Sequence, residues 1–279
     1  MTTIGPVSLT VADLPRALAF YTERLGFRVH GEDGGTARLG AGANDLLVLM
    51  ERQRAPRAHG TTGLFHFAVL LPSREALSLA LARLAETRTL LQGAADHLVS
   101  ESLYLADPEG NGIELYRDRP REEWLWENGA VRMTVDPLDV EALLREAATS
   151  ASGWSGMPDG TIIGHVHLRV ARIAPAERFY CDLLGFDLTT RYGSNASFVS
   201  SGGYHHHVAF NTWAGVGAPP PPDGAAGLRE FVVRFHDADE VERVLTRLAG
   251  AGVQAARGAL VRDPSGNAVR LAVREPASD

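Results

Sequence analysis

The chain has 279 residues, 45% hydrophobic and 22% charged, with a formal net charge of −7. That is the composition of a globular protein long enough for two domains or one duplicated one. The acidic balance and the lack of any basic stripe argue against a nucleic-acid partner, and the single cysteine, Cys181, excludes a disulfide framework or a thiolate metal cage within one chain.

The N-terminal MTTIGPVSLTV has no basic stretch followed by a long apolar one. No apolar run reaches the roughly 20 residues of a membrane helix. The expectation is a cytoplasmic enzyme or binding protein without a leader.

Residues 4–27, IGPVSLTVADLPRALAFYTERLGF, open with an alternating VSLTV segment that predicts a strand. A helix follows, with Leu14, Ala17, Leu18 and Tyr21 on one face and Gly26 as its stop. Short strands punctuated by Gly, Asn and Asp continue to about residue 53. A second run begins at GLFHFAVLLPSREAL (63–77) and closes in LADPEGNGIELYRDRP (105–120), where DPEGN is a turn and GIELY a last strand. Residues 119–162 break the pattern. They hold RPREEWLWENGA and then a helix in DPLDVEALLREAATS, capped by Asp136 or Asp139.

Residues 163–186, IGHVHLRVARIAPAERFYCDLLGF, then repeat 4–27 in register, with Cys181 as a packing residue on the helical pattern. GLREFVVRFHDADEV (227–241) and VRDPSGNAVRLAVREP (261–276) likewise repeat the opening and close of the second run, and the PPPP run at 219–222 reads as a stiff surface loop. The chain thus holds four units, 4–53, 63–118, 163–214 and 227–275, each reading βαβββ. A single unit cannot bury its own sheet, so units must pair into curved sheets around a cavity, an α+β architecture. In domain terms, 1–118 holds the first pair of units, 119–162 a connecting arm, and 163–279 the second pair.

Two positions in each unit are candidates for chemistry. At the start of the first strand stand Pro6, His66, His165 and Glu230; in the last strand units two and four carry Glu114 and Arg270. Unit one offers only the apolar DLLVLM there, and unit three the triple histidine of GGYHHHVAFNTW (202–213). Polar groups on the cavity side of a strand cost free energy unless something pairs with them, and a metal ion is one such partner. Taken singly, a strand histidine is more often a hydrogen-bonded core residue and a strand glutamate a solvated one. Their recurrence at equivalent positions favours His66, His165 and Glu114 as a two-histidine, one-carboxylate face with open coordination positions, which suits Fe(II).

These units resemble the βαβββ modules of the vicinal oxygen chelate superfamily, which includes glyoxalase I, fosfomycin and bleomycin resistance proteins and type I extradiol dioxygenases. The carriers are FYTERLGF, FYCDLLGF, SLYLADPEGNGIELY and HHHVAF, and the chain is similar to catechol 2,3-dioxygenase-like proteins. The resemblance implies four modules paired into two curved-sheet barrels, Fe(II) (or Mn(II) or another divalent ion), O2 and a small catechol-like aromatic substrate. It implies Tyr104 as a hydrogen-bonding group, Glu114 as the ligand after the DPEG turn, His206 as acid/base and His97 as a further substrate-facing histidine. His205 or His207 takes the place of His206 if the register slips, and His207 as a metal ligand is an alternative. A metal isomerase of glyoxalase type, a resistance enzyme and a non-catalytic aromatic binder are the competing functions, and homo-oligomer formation through sheet edges is open.

One departure matters. Family members of the dioxygenase type carry the metal in modules three and four, yet unit four here has Glu230 and Arg270, and a guanidinium cannot ligate a metal. Only pairing unit two with three, and one with four, gathers His66, Glu114, His165, His206 and Tyr104 in one cavity. That pairing requires the ligand atoms to converge within roughly 3–3.5 Å, as bonds near 2.0–2.2 Å demand.

Overall fold

The computed structural model of the chain describes residues 2–127 and 130–274. Residues 128 and 129 of the RPREEWLWENGA segment, and 275–279, where the fourth unit and the second half were expected to end, lie outside the described residues.

Unit one comprises β1 (Thr3–Val11), α1 (Leu14–Ala19), β2 (Arg28–Asp33), β3 (Thr36–Ala41) and β4 (Asn44–Glu51). Unit two comprises β5 (Gly63–Leu70), α2 (Arg74–Glu86), β6 (Leu91–Asp96), β7 (Ser100–Ala106) and β8 (Gly112–Asp118). The arm adds two-residue strands β9 (Trp126–Glu127), β10 (Ala130–Val131) and β11 (Asp136–Pro137), then α3 (Val140–Thr149), capped by Asp139 through Ala142 N–H. Unit three comprises β12 (Ile162–Arg169), α4 (Ile173–Glu177), β13 (Asp187–Tyr192), β14 (Ala196–Ser200) and β15 (Val208–Asn211). Unit four is shorter than predicted. It has β16 (Gly227–Phe235), α5 (Ala238–Gly250), β17 (Leu260–Arg262) and β18 (Ala268–Val273). Where a further strand was expected, Gly252, Gly258 and Ala259 all take positive φ, and a single bridge, Ala256 to Leu260, replaces a ladder.

The strands form two large mixed sheets. Units four and one build the order β17-β18-β16-β1-β4-β3-β2, and units two and three build β11-β6-β7-β8-β5-β12-β15-β14-β13. The seams are antiparallel, β1 with β16 and β5 with β12. Within units two and three the first and last strands are parallel neighbours, β5 with β8 and β12 with β15. The strands that carry Glu114, His66 and His165, namely β8, β5 and β12, therefore lie side by side at the centre of one sheet. Among the described residues no helix is long and apolar enough to cross a membrane.

The helical segments after β1 and β12 do not run as plain α-helices. Phe20–Arg24 and Arg178–Leu183 are π-helical turns. They carry the fully buried Tyr21 and Tyr180, whose hydroxyls donate to Asp107 (2.9 Å) and Asp263 (3.2 Å) in the two Asp-Pro turns. Each turn is thus tied to the helix of the preceding unit. Burial pushes both carboxyls up despite hydrogen bonds from Asn111 and Asn267.

Candidate active site

The register explains why distant residues meet. Glu114 on β8 is level with Ala68 on β5, and Ala68 is level with His165 on β12. Neighbouring strands are about 4.8 Å apart, so Glu114 and His165 reach toward each other over the single methyl of buried Ala68. His66 stands two residues from Ala68 on the same face of β5. On the far side Tyr104 of β7 is level with Glu114. Gly164, at the irregularity just before His165, has no room for a side chain: a Cβ there would lie 1.8 Å from the Tyr116 hydroxyl.

Both imidazoles converge on one carboxylate oxygen. His165 Nε2 lies 2.9 Å and His66 Nε2 3.0 Å from Glu114 Oε2, and the three ligand atoms all fall within 4.8 Å of one another. All three residues are buried. His66 Nε2 makes no hydrogen bond despite its short distance, because the angle is wrong, and His165 Nδ1 is also buried without a partner. Burial, against the pull of Glu114, holds His165 down at about 4, so its ring is neutral at pH 7. Burial would raise Glu114, but His165 and His66 outweigh it and keep the carboxyl well below the usual carboxylate range. An ionised carboxylate and imidazole nitrogens aimed at a common point, with one of them orphaned, fit a divalent ion shared among them.

The equivalent place in the other sheet has no such set. Arg270 donates to Glu230 through Nε (2.6 Å) and Nη2 (2.8 Å), a bidentate pair that satisfies both charges.

A cavity of about 480 Å³ opens over the cluster, with His66, Glu114, Tyr104, His97 and His206 in its wall. Its other walls are largely apolar: Phe65, Val99, Met133, Val135, Phe198 and Trp213. Met133, Thr134 and Val135 come from the arm, whose β11 pairs with the edge of β6. Phe65 and Trp213 meet edge to face at 5.0 Å.

Hydrogen-bond directions in the wall follow from what each group can donate. His97 Nδ1 lies 2.6 Å from the Thr134 carbonyl, which can only accept, so the ring proton sits there. His97 Nε2 then accepts from the Tyr104 hydroxyl at 2.6 Å. Burial, then the charge of Glu114, pushes the Tyr104 phenol well above its usual range and keeps it protonated.

The three consecutive histidines separate. His206 lines the cavity, its ring 4.0 Å from that of His165. His205 faces away toward Asp118, and His207 accepts the Ser201 N–H at Nδ1 (3.2 Å) outside both the cavity wall and the ligand cluster. Burial holds His206 well below the usual imidazole range, so it is neutral.

Sequence reasoning passed over His167. It follows His165 by two residues on β12, shares its face and lines the cavity. Its Nε2 lies 2.9 Å from Asn211 Nδ2, and its ring is 5.0 Å from His66 and 5.5 Å from Trp213. The His-Val-His alternation at residues 165–167 is the available signal.

Comparison with known proteins agrees with this architecture. The sequence model of the Glyoxalase/Bleomycin resistance protein/Dioxygenase superfamily matches residues 3–115 and 162–271. Over 256 residues the chain is 44% identical to a catechol-2,3-dioxygenase of Bacillus subtilis (strain 168), covering 90% of this chain and 89% of that protein. Among solved structures, a candidate dioxygenase of Bacillus subtilis superposes with a TM-score of 0.64 at 14% identity, covering 98% of this chain and 86% of that one. Glyoxalase I from Zea mays gives 0.60 at 16% identity, covering 98% and 92%; at such identities the likeness is one of fold. By sequence and by architecture alike, the chain belongs to the Glyoxalase/Bleomycin resistance protein/Dioxygenase superfamily and sits with its catechol 2,3-dioxygenase-like enzymes.

Proposed function

We propose that the protein is an Fe(II)-dependent extradiol dioxygenase that opens a catechol ring carrying an uncharged, apolar substituent, placing both atoms of O2 in the product. The observation that carries this reading is the convergence of His66, His165 and Glu114 on one point at the base of an apolar cavity. These three residues would hold the iron, and a bound ferrous ion supplies the electron transfer between ring and dioxygen that no side chain offers.

The remaining chemistry belongs to the wall. Phe65, Trp213 and Phe198 give the aromatic ring apolar faces to pack on and exclude water. His206, neutral and buried, is placed to take the proton of a substrate hydroxyl and return it after cleavage. Tyr104 has committed its proton to His97, so toward the substrate its oxygen is an acceptor.

The substituent is inferred from charge. The sequence contains no lysine, and among the described residues the one arginine in the wall is Arg191. Its guanidinium is already clamped by Glu177, at 2.7 and 3.0 Å. A carboxylate on the substrate would enter this cavity without a counter-charge, which costs several kcal/mol of desolvation.

The test is oxygen uptake by anaerobically purified, Fe(II)-loaded protein mixed with a panel of catechols, followed by the yellow colour of ring-opened product. Uptake with alkyl- or aryl-catechols and little with carboxylated ones is expected. No uptake with any catechol would end the dioxygenase reading and leave a metal isomerase or an aromatic binder.

A further inference from the structure

Behind the His206 ring runs a chain of hydrogen bonds directed away from the cavity. His206 Nδ1 lies 2.7 Å from His205 Nδ1, and His205 Nε2 lies 3.0 Å from Asp118 Oδ1. The other carboxylate oxygen, Oδ2, accepts the Tyr204 hydroxyl at 2.9 Å, and Tyr204 is itself 2.8 Å from the Tyr116 hydroxyl. His205 and His206 are buried, at 1% and 8% exposure respectively, and Trp124 of the arm covers His205 with ring centroids 5.3 Å apart.

The direction of these bonds is constrained. A carboxylate only accepts, so His205 carries a proton on Nε2. A neutral imidazole has one N–H, which leaves His205 Nδ1 as an acceptor. Two ring nitrogens facing each other at 2.7 Å need one proton between them, and it must then come from His206 Nδ1. That leaves the lone pair of His206 on Nε2, the opposite edge of the ring. The arrangement has one competitor. If His205 held two protons as an ion pair with Asp118, its Nδ1–H would donate to His206 and drive the His206 proton onto Nε2.

We propose that Asp118, acting through His205, holds His206 in the tautomer whose Nε2 is unprotonated. Asp118 and His205 are thus positioning residues for the group that accepts the substrate proton. The inference rests on the reading of His206 as acid/base. In the transfer one substrate O–H bond breaks and one N–H bond forms at His206 Nε2. The resulting imidazolium keeps its Nδ1–H on His205, and the Asp118 carboxylate balances the new charge across one intervening ring. An orienting carboxylate behind a catalytic imidazole is a general device for fixing tautomer and stabilising the charged form; here it is extended by one histidine. The oxygen-to-hydroxyl bond from Tyr204 fixes the carboxylate in turn. The run HHH so resolves into one residue that positions, one that faces substrate and one that packs.

The experiment is ring-nitrogen NMR on the full chain labelled with [15N]histidine, recorded with and without zinc as a diamagnetic substitute for iron. In the unaltered chain His206 should show a protonated Nδ1 and an unprotonated Nε2. In Asp118→Asn, whose amide can donate as well as accept, the single tautomer should give way to a mixture. Turnover of the iron-loaded variant should fall by at least about 10-fold, at unchanged KM and iron content. A His206 proton on Nε2 in the unaltered chain would overturn the proposal whether or not the variant folds. So would an Asp118→Asn protein that keeps both the single tautomer and full turnover. The tautomer is readable even if no catechol is cleaved, so failure of the dioxygenase reading and failure of the positioning role give different results.

Discussion

Replacing Glu114 by Gln tests the ligand cluster with the least change of shape. In the metal-free chain two effects oppose. The variant loses a charge-assisted bond to His165 at 2.9 Å, worth about 1.5–3 kcal/mol, but it also relieves a buried carboxylate whose desolvation costs several kcal/mol. Stability without metal should therefore shift by no more than about 2 kcal/mol in either direction. Metal binding has no such compensation, since the amide brings no charge to a site with two neutral-type donors. A loss of at least about 100-fold in affinity is expected, or about 2.8 kcal/mol. The assay is thermal melting with metal titrated to about 100 times the wild-type Kd, which stabilises the native protein by about 2.7 kcal/mol. For a chain of this size that raises Tm by about 5–10 °C. Glu114→Gln should melt near the metal-free temperature at every one of these concentrations. An equal metal-induced rise in the variant would place the carboxylate outside the coordination shell.

His206→Ala should retain stoichiometric iron and lose about 10²–10⁴ in turnover; undiminished turnover removes it from the chemistry. Ala68→Val adds bulk where Glu114 and His165 cross, so it should cost about 1–3 kcal/mol in denaturant melts and weaken metal in a chelator competition at least as strongly per unit of stability lost. Wild-type metal affinity in that variant would show that the crossing is not tight. Glu177→Gln frees Arg191 from its bidentate clamp, and the rate ratio of carboxylated to alkyl catechols should rise about 10-fold; an unchanged ratio would mean the clamp does not set substrate charge. Burial, followed by the proximity of His205, holds His207 down at about 3, below the ~6.5 of an unfolded chain. The unfolded chain takes up its proton first, so this contribution is present above pH ~6.5 and is lost as pH falls toward ~3. Metal-free denaturant melts should lose a few kcal/mol across that window, and His207→Gln should flatten the slope; an unaltered slope counts against the assignment.

Internal repetition made the architecture readable, because period-2 strands, the FYTERLGF and FYCDLLGF segments and the two Asp-Pro turns recur at fixed offsets. The pairing of units comes from elimination: Pro6 and Arg270 cannot ligate a metal, so units one and four lack a full ligand set and the middle units have to supply the candidate site. The sheet order that seats β5 beside β12 has the same consequence. Other features depend on contacts far apart in sequence and leave no local trace. The bond between His205 and Asp118 spans 87 residues, and nothing in RPREEWLWENGA or its continuation marks Met133, Thr134 and Val135 as cavity wall. The fourth unit lost its middle strand to positive-φ glycines that read equally well as hairpin turns. The π-helical turns were hidden for a different reason. Their apolar spacing passes for an ordinary helix, and only the buried tyrosine-to-aspartate bonds reveal the extra residue in the turn.

On the proposed function, the second and third units grip one iron between them. Anomalous diffraction at the iron edge, from crystals of the Fe(II)-loaded chain, measures this directly. One peak within bonding distance of His66 Nε2, His165 Nε2 and a Glu114 oxygen is the predicted result. A peak bound elsewhere, or bound by residues of only one unit, would contradict it.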